Sequence, residues 1–178
     1  EERRPNALAA IDFSIELGKV ICVPDPADAA ARDAAMTAGY DGSVSEAPGL
    51  PGIATGVIAA GTPLAGELFP QGHLGDRWFD DVHGVGWRLV TVDPDAADLD
   101  PALVEWLGTI GGAVVDVTGA AADLAGWFAA HDVRWALQRP DFHLFGTASD
   151  RAGATALLTD LRGRLTSTDP PDPTGSTP

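Results

Sequence analysis

Apolar residues recur along this chain with two periods, and the switches between them mark its elements. Leu8, Ile11 and Ile15 share one helical face, with Gly18 offering a stop, which predicts an opening amphipathic helix. Residues 22–65 are rich in Pro, Gly, Ala and Asp and poor in large apolar groups. They read as a connector draped over a neighbouring surface, with one short helix over residues 27–38. From Gly66 the texture changes. Leu68-Phe69 and the run Trp87-Arg88-Leu89-Val90-Thr91-Val92 read as strands, the second β-branched and ended by Asp93-Pro94. Asp100-Pro101 supplies an N-cap and a first-turn proline for a helix over residues 102–110, with Leu103, Trp106, Leu107 and Ile110 on one face and Gly111-Gly112 behind it. Ala113-Val114-Val115-Asp116-Val117 is near-continuously apolar, which predicts a strand buried on both faces. A helix over residues 121–131 turns Leu124, Trp127 and Phe128 inward. Trp135-Ala136-Leu137-Gln138 and Phe142-His143-Leu144-Phe145 flank Arg139-Pro140-Asp141, a turn in which proline presets φ, so the two runs form an antiparallel hairpin. Asp150 caps a last helix through Leu165, whose Leu157, Leu158, Leu161 and Leu165 repeat at three or four residues. Residues 166–178 lack the apolar area to offset the entropy of ordering, so a disordered tail is expected.

From Trp87 onward the order is strand, helix, strand, helix, strand, strand, helix. A right-handed crossover followed by an antiparallel hairpin gives an α/β fold with a four-stranded mixed sheet and helices on both faces. A hairpin closed by a terminal helix after two strand–helix alternations resembles the tail of a thioredoxin-like domain. Redox-active members of that fold carry two cysteines at the start of the first helix, where the dipole lowers a thiol pKa. Here that start is Asp100-Pro101-Ala102-Leu103, and the chain's one cysteine, Cys22, lies far upstream. The proline expected before the third strand is replaced by Asp132-Val133-Arg134. Dithiol chemistry is excluded, and Cys22 reads as a packed or incidental thiol.

Charge removes further classes. Eleven basic against 26 acidic residues give a formal charge of −15, which repels phosphate backbones and anionic lipid alike. No nucleic acid or membrane partner is expected. The most apolar stretch, residues 53–69, is broken by Gly56, Gly61, Pro63 and Gly66 and carries Glu67, so it does not read as a membrane-spanning helix. No stretch has the pattern of a signal peptide, and a lone cysteine fits a cytoplasmic setting.

Candidate chemistry is sparse. His73, Asp76, Asp80, Asp81 and His83 form the densest polar cluster, but their spacings match no ligand motif, and a surface loop of turn-capping aspartates and solvated histidines accounts for them. His131 reads as a helix C-terminal histidine. His143 alternates with Phe142 and Leu144, which places it toward solvent or a partner. Gly84-Val85-Gly86 and Gly111-Gly112 do not form a phosphate cradle, and Trp87, Trp106, Trp127 and Trp135 fall at core-periodic positions. No catalytic, cofactor-binding or metal-binding residue is assigned.

Three blocks together resemble one family. Glu2-Arg3-Arg4-Pro5 leading into an amphipathic helix resembles the end of the flavin domain of class A FAD-dependent aromatic hydroxylases, where Tyr-x-x-Glu-Arg-x-Pro opens the last long helix. Gly66-Glu67-Leu68-Phe69-Pro70-Gln71, followed by Phe79-Asp80-Asp81-Val82 and Gly84, Gly86 and Trp87, is similar to the start of their C-terminal domain. Arg139-Pro140-Asp141-Phe142-His143-Leu144 resembles the hairpin that closes it. The 3-(3-hydroxyphenyl)propionate hydroxylase type, with its cysteine-free thioredoxin-like domain, is the nearest match. The resemblance implies a full-length enzyme that uses NAD(P)H, FAD and dioxygen to hydroxylate a phenolic ring. Its flavin-binding glycines would lie upstream of Glu1, and its C-terminal domain is structural or makes subunit contacts. The start within a motif and without methionine is expected to be a cut. The implied division is a terminal helix of a missing flavin domain at 1–21, a connector at 22–65, a thioredoxin-like domain at 66–165 and a tail at 166–178. Expected partners are that missing FAD domain and, beyond it, a homo-oligomer. The competing readings are a standalone redox-inactive thioredoxin-like protein-binding module and, last, a cysteine peroxidase using Cys22.

Overall fold

The structure, a computed structural model, describes residues 2–40, 42, 52–93, 98–119 and 122–166. The expected tail from residue 167, the Pro94 strand stop and the middle of the connector lie outside the described residues. Two units are resolved, Glu1–Ile53 and Ala54–Pro178.

The first unit holds α1 (Arg4–Ile21) and α2 (Pro26–Gly39). Helix α1 passes through Gly18 instead of stopping there, and its last turn closes with the Cys22 amide donating to the Gly18 carbonyl at 2.8 Å. A single glycine costs a helix only about 1 kcal/mol, less than the gain from continuing through Val20 and Ile21. Asp25 caps α2, its Oδ1 accepting from the amides of Ala27 and Asp28 at 2.8 and 3.1 Å, with Pro26 in the first turn where its missing N–H is harmless. Arg32 reaches back from α2 to donate to the Val20 and Ile21 carbonyls, supplying partners for the C-terminal end of α1. No residue of α1 or α2 is buried.

The second unit begins at Ala54, so residues 54–65 lie within it. A short hairpin of β1 (His73–Leu74) and β2 (Arg77–Trp78) leads into α3 (Phe79–His83). Then follow β3 (Arg88–Thr91), α4 (Pro101–Thr109), β4 (Ala113–Asp116), α5 (Ala122–Ala130), β5 (Trp135–Gln138), β6 (Leu144–Ala148) and α6 (Arg151–Thr166). The four-stranded sheet has the order β4-β3-β5-β6, with β3 parallel to β4 and antiparallel to β5, and β5 antiparallel to β6. This is the mixed thioredoxin-like sheet expected from the element order, and it carries no cysteine.

Alternation along the central strands sends side chains into two cores. On one face Leu89, Trp135 and Leu137 meet Leu103 and Leu107 of α4 and Leu157, Leu158 and Leu161 of α6. On the other, Val90 and Ala136 meet Phe79 of α3 and Leu124 and Phe128 of α5. Each fully buried large side chain contributes about 1.5–3 kcal/mol, so these two layers dominate the stability of the unit. Trp135 is fully buried and its indole nitrogen has no hydrogen-bond partner, so the ring is held by packing.

Three expectations need correction. The strand at Ala113–Asp116 is an edge strand, with Ala113 and Asp116 exposed and Val115 buried. Its apolar run reflects β propensity, while the fully buried strands are β5 and β6. Leu68-Phe69 forms an isolated bridge to His143 instead of a regular strand. Leu165 is 43% exposed, because α6 has by then passed the layer that Leu161 fills.

Residues 57–69 run along the outer edge of β6. The amides of Ala59 and Gly66 donate to the carbonyls of Phe145 and Leu144, Leu144 donates to Glu67, and Phe69 donates to Phe142. The Thr147 hydroxyl donates to the Pro63 carbonyl at 2.8 Å. Gly146 has no room for a side chain here, since a Cβ would lie 2.9 Å from Leu157 and 3.1 Å from Ala59. The unpaired groups of that edge are therefore satisfied within the unit.

Candidate functional site

The Arg139-Pro140-Asp141 turn is closed by the Phe142 amide donating to the Arg139 carbonyl at 3.0 Å and by Arg139 donating to His143 at 2.8 Å. Phe142 takes the left-handed conformation, φ 64°, that such a turn needs and that glycine adopts more easily. Further along, Leu137 pairs with Gly146 while Gln138 pairs with Leu144, so Phe145 is the extra residue of a bulge. The reading of His143 as facing solvent or a partner is overturned. His143 is buried, with Nδ1 at 3.0 Å from the Asp141 carbonyl and Leu68 bridged alongside.

The Arg139 guanidinium binds the Asp141 carboxylate through Nε and Nη2 at 3.0 and 3.1 Å, and its Nη1 donates to the Val57 carbonyl at 2.7 Å. Burial pushes the Asp141 carboxyl up, but the hydrogen bonds and charge of Arg139, with His143 adding to them, hold it below the ordinary carboxylate value. Arg139 thus ties the hairpin to the segment that covers β6. It is a clamp, with its charge neutralised and its donors directed into the protein.

The cluster His73 to His83 separates into independent pairings. His73 turns to the first turn of α5, where its amide and Nδ1 lie 3.0 and 3.3 Å from Asp123 Oδ2, and its ring lies over Trp78 at 3.7 Å. Those bonds, the amide first, hold the Asp123 carboxyl below its usual value. Asp80 goes instead to Gln71 and Gln138, and burial, reinforced by the charge of Asp81, raises its carboxyl despite those hydrogen bonds. His83 packs on Phe79 at 4.7 Å, and burial followed by the charge of Arg88 lowers its pKa. Among the described residues no three His, Cys, Asp or Glu side chains converge as metal ligands.

At the end of the sheet where a redox thioredoxin would hold its substrate, Asp93 faces Arg134 at 3.4 Å. The Arg134 carbonyl accepts from the Val92 amide and the Thr91 hydroxyl, and its amide donates to Ala148. Both backbone groups of Arg134 are therefore paired within the protein. Cys22 is exposed in the first unit, just after α1. An open cleft of about 630 Å³ lies beside this end of the sheet, lined by Ala59, Pro63, Val133, Ala148 and Leu157 with Asp132 and Asp150 among its polar groups. Its lining includes no Lys, Arg or Cys.

No family model matches the chain. A probable NADH-specific resorcinol 4-hydroxylase from Rhodococcus jostii (strain RHA1) is 34% identical over 179 residues, an alignment that takes in 90% of this chain and 33% of that protein. This chain resembles the C-terminal part of a flavin-dependent aromatic hydroxylase. It spans about a third of that hydroxylase's length. Two structures of RebC, the rebeccamycin biosynthetic enzyme, one soaked with K252c and one with reduced flavin, superpose with a TM-score of 0.59. They are 18% and 19% identical, cover 92% of this chain and 35% of theirs, and speak for the fold.

The glycines singled out in the sequence do not form a cradle for a flavin pyrophosphate. Gly86 sits where a Cβ would lie 2.7 Å from the Gly111 carbonyl, so it serves the close approach of two chain segments instead of a pyrophosphate. Gly111 and Gly112 follow the C-terminus of α4, the end of a helix that repels anions. In a hydroxylase built like these relatives, the flavin would be held by other parts of the protein.

Proposed function

We propose that this chain is the C-terminal, noncatalytic portion of an FAD- and NAD(P)H-dependent aromatic-ring monooxygenase, with a structural or subunit-contact role. The observation that carries the reading is the 34% identity to a resorcinol hydroxylase across 90% of the chain, outside any flavin-binding motif. In this reading residues 1–21 complete the flavin domain, residues 66–165 form the thioredoxin-like domain, and the parent acts in the cytoplasm on a small phenol. The noncatalytic role is supported by polar groups already engaged within the protein: Arg139, His73 and Asp80 each hold a neighbouring segment.

Expression of the complete reading frame tests it. The parent should purify with bound flavin and oxidise NADH faster when a resorcinol is added, while the 178-residue chain alone should carry no flavin absorbance and no NADH oxidation. A complete reading frame that lacks a dinucleotide-binding segment, and a protein that purifies colourless, would defeat the proposal.

A further inference from the structure

The open cleft of about 630 Å³ beside the end of the sheet falls within the size range of small-molecule sites, about 300–1,000 Å³. Small side chains along its walls, Ala59, Ala148 and Ala156, leave the room that larger ones would fill. The polar groups of its floor are engaged within the protein. The Thr62 hydroxyl donates to the Ala59 carbonyl at 2.9 Å, the Thr147 hydroxyl donates to the Pro63 carbonyl at 2.8 Å, and the Ala59 amide donates to Phe145. Charge is gathered at one end. Asp132 and Asp150 each stand two residues from the bond between the Arg134 amide and the Ala148 carbonyl, so both lie at the same mouth of the cleft. The cations nearest them in sequence are turned elsewhere, Arg134 to Asp93 at 3.4 Å and Arg151 to Asp98 at 2.8 Å. Asp150 accepts the Gly153 amide through one oxygen. Asp160, about 15 Å further along α6, is already matched by Arg164 at 2.9 Å. His131 keeps its Nδ1 on the Trp127 carbonyl at 2.8 Å. The cleft is therefore an apolar groove with an unbalanced negative end.

We propose that this groove binds a small organic amine, with its ammonium between Asp132 and Asp150 and its apolar body along Ala59, Ala148 and Leu157. Charge complementarity selects a cation, because the lining holds the carboxylates of Asp132, Asp150 and Asp160 and no Lys or Arg. The engaged floor selects a small amine over an extended peptide. A peptide laid there would bury its own N–H and C=O groups against hydroxyls and amides that already have partners, whereas a hydrocarbon body needs none. The ammonium keeps its three donors at the mouth, where two carboxylates and solvent can take them. This site stands independently of the hydroxylase reading and adds a ligand to a part of the chain with no assigned chemistry.

Titration of phenethylamine, phenethyl alcohol and hydrocinnamate into the isotope-labelled chain, followed by amide chemical shifts, tests the site. Phenethylamine should shift the amides of Ala148, Asp150 and Ala156 and bind at least about fivefold more tightly than the alcohol, an advantage that high salt removes. Hydrocinnamate, the anion of similar shape, should not bind. Asp132→Asn combined with Asp150→Asn keeps the shape of the mouth, and asparagine still caps α6, so amine affinity should fall to that of the alcohol without loss of thermal stability. Ala156→Leu, at an exposed wall position, should block amine and alcohol alike and decides the matter if the double variant does not fold. Equal binding of amine and alcohol, or amine shifts that survive either variant, overturns the proposal. Tighter binding of an end-blocked alanyl-lysyl-alanine peptide identifies peptide docking and overturns it as well. So does amine binding to this chain that is lost in the complete protein, since another part of that protein then fills the groove.

Discussion

Arg139 links chain segments that are distant in sequence, because its guanidinium holds Asp141 two residues away and Val57 eighty-two residues away. Charge-assisted hydrogen bonds of this kind contribute about 1.5–3 kcal/mol each, less where solvent reaches the carboxylate. Arg139→Ala is expected to lower unfolding free energy by about 2 kcal/mol in urea titration, and Arg139→Lys, which cannot reproduce the fork, should recover less than half of that. A loss of only a few tenths would show that the clamp is ornamental. The same pair sets an acid limit. The native Asp141 carboxyl lies below its unfolded value, so its contribution is fully present above the ordinary carboxylate range of about pH 4 and is lost as pH falls through the native value. Asp141→Asn should flatten the acid limb of a stability–pH curve measured from pH 2 to 5, on the order of one proton's worth of slope. Asp80, whose carboxyl is raised, acts with the opposite sign: its native form gives up stability as pH rises through its titration.

At the scale of elements, local signals were enough for α4, whose Asp100-Pro101 start caps as the spacing requires, but not for α3, which lies where a surface loop was expected. The strands β3 and β5 were equally legible from their apolar runs. Position within the sheet was not, because two valines and an alanine read the same at an edge as at the centre, and only pairing decides which. His143 was misread for a related reason: both faces of this hairpin are covered, so alternation with the buried Leu144 did not expose it. The covering of β6 by residues 57–69 was legible only as a connector draped over a surface, since most of its bonds use backbone groups. A polypeptide of residues 54–166 should unfold cooperatively, whereas one of residues 66–166 loses the partners Val57, Ala59 and Pro63. The shorter piece is expected to be less stable by several kcal/mol, since each lost bond is worth about 1 kcal/mol. Equal thermal midpoints by circular dichroism would show that the covering segment contributes nothing.

For the whole molecule, the fold was readable from the order of its elements. The candidate polar cluster dispersed in three directions because a metal site needs convergence, and His73, Asp80 and His83 each found a partner on a different element. The sheet carries one more consequence. Its β6 margin is sealed by the molecule's own backbone, and among the described residues nothing pairs with the outer margin of β4. Among the described residues, growth of the four-stranded sheet by adding strand to strand therefore has a single point of attachment. Two copies joined there would terminate each other, so sheet extension in this protein ends at a pair and cannot propagate into a filament.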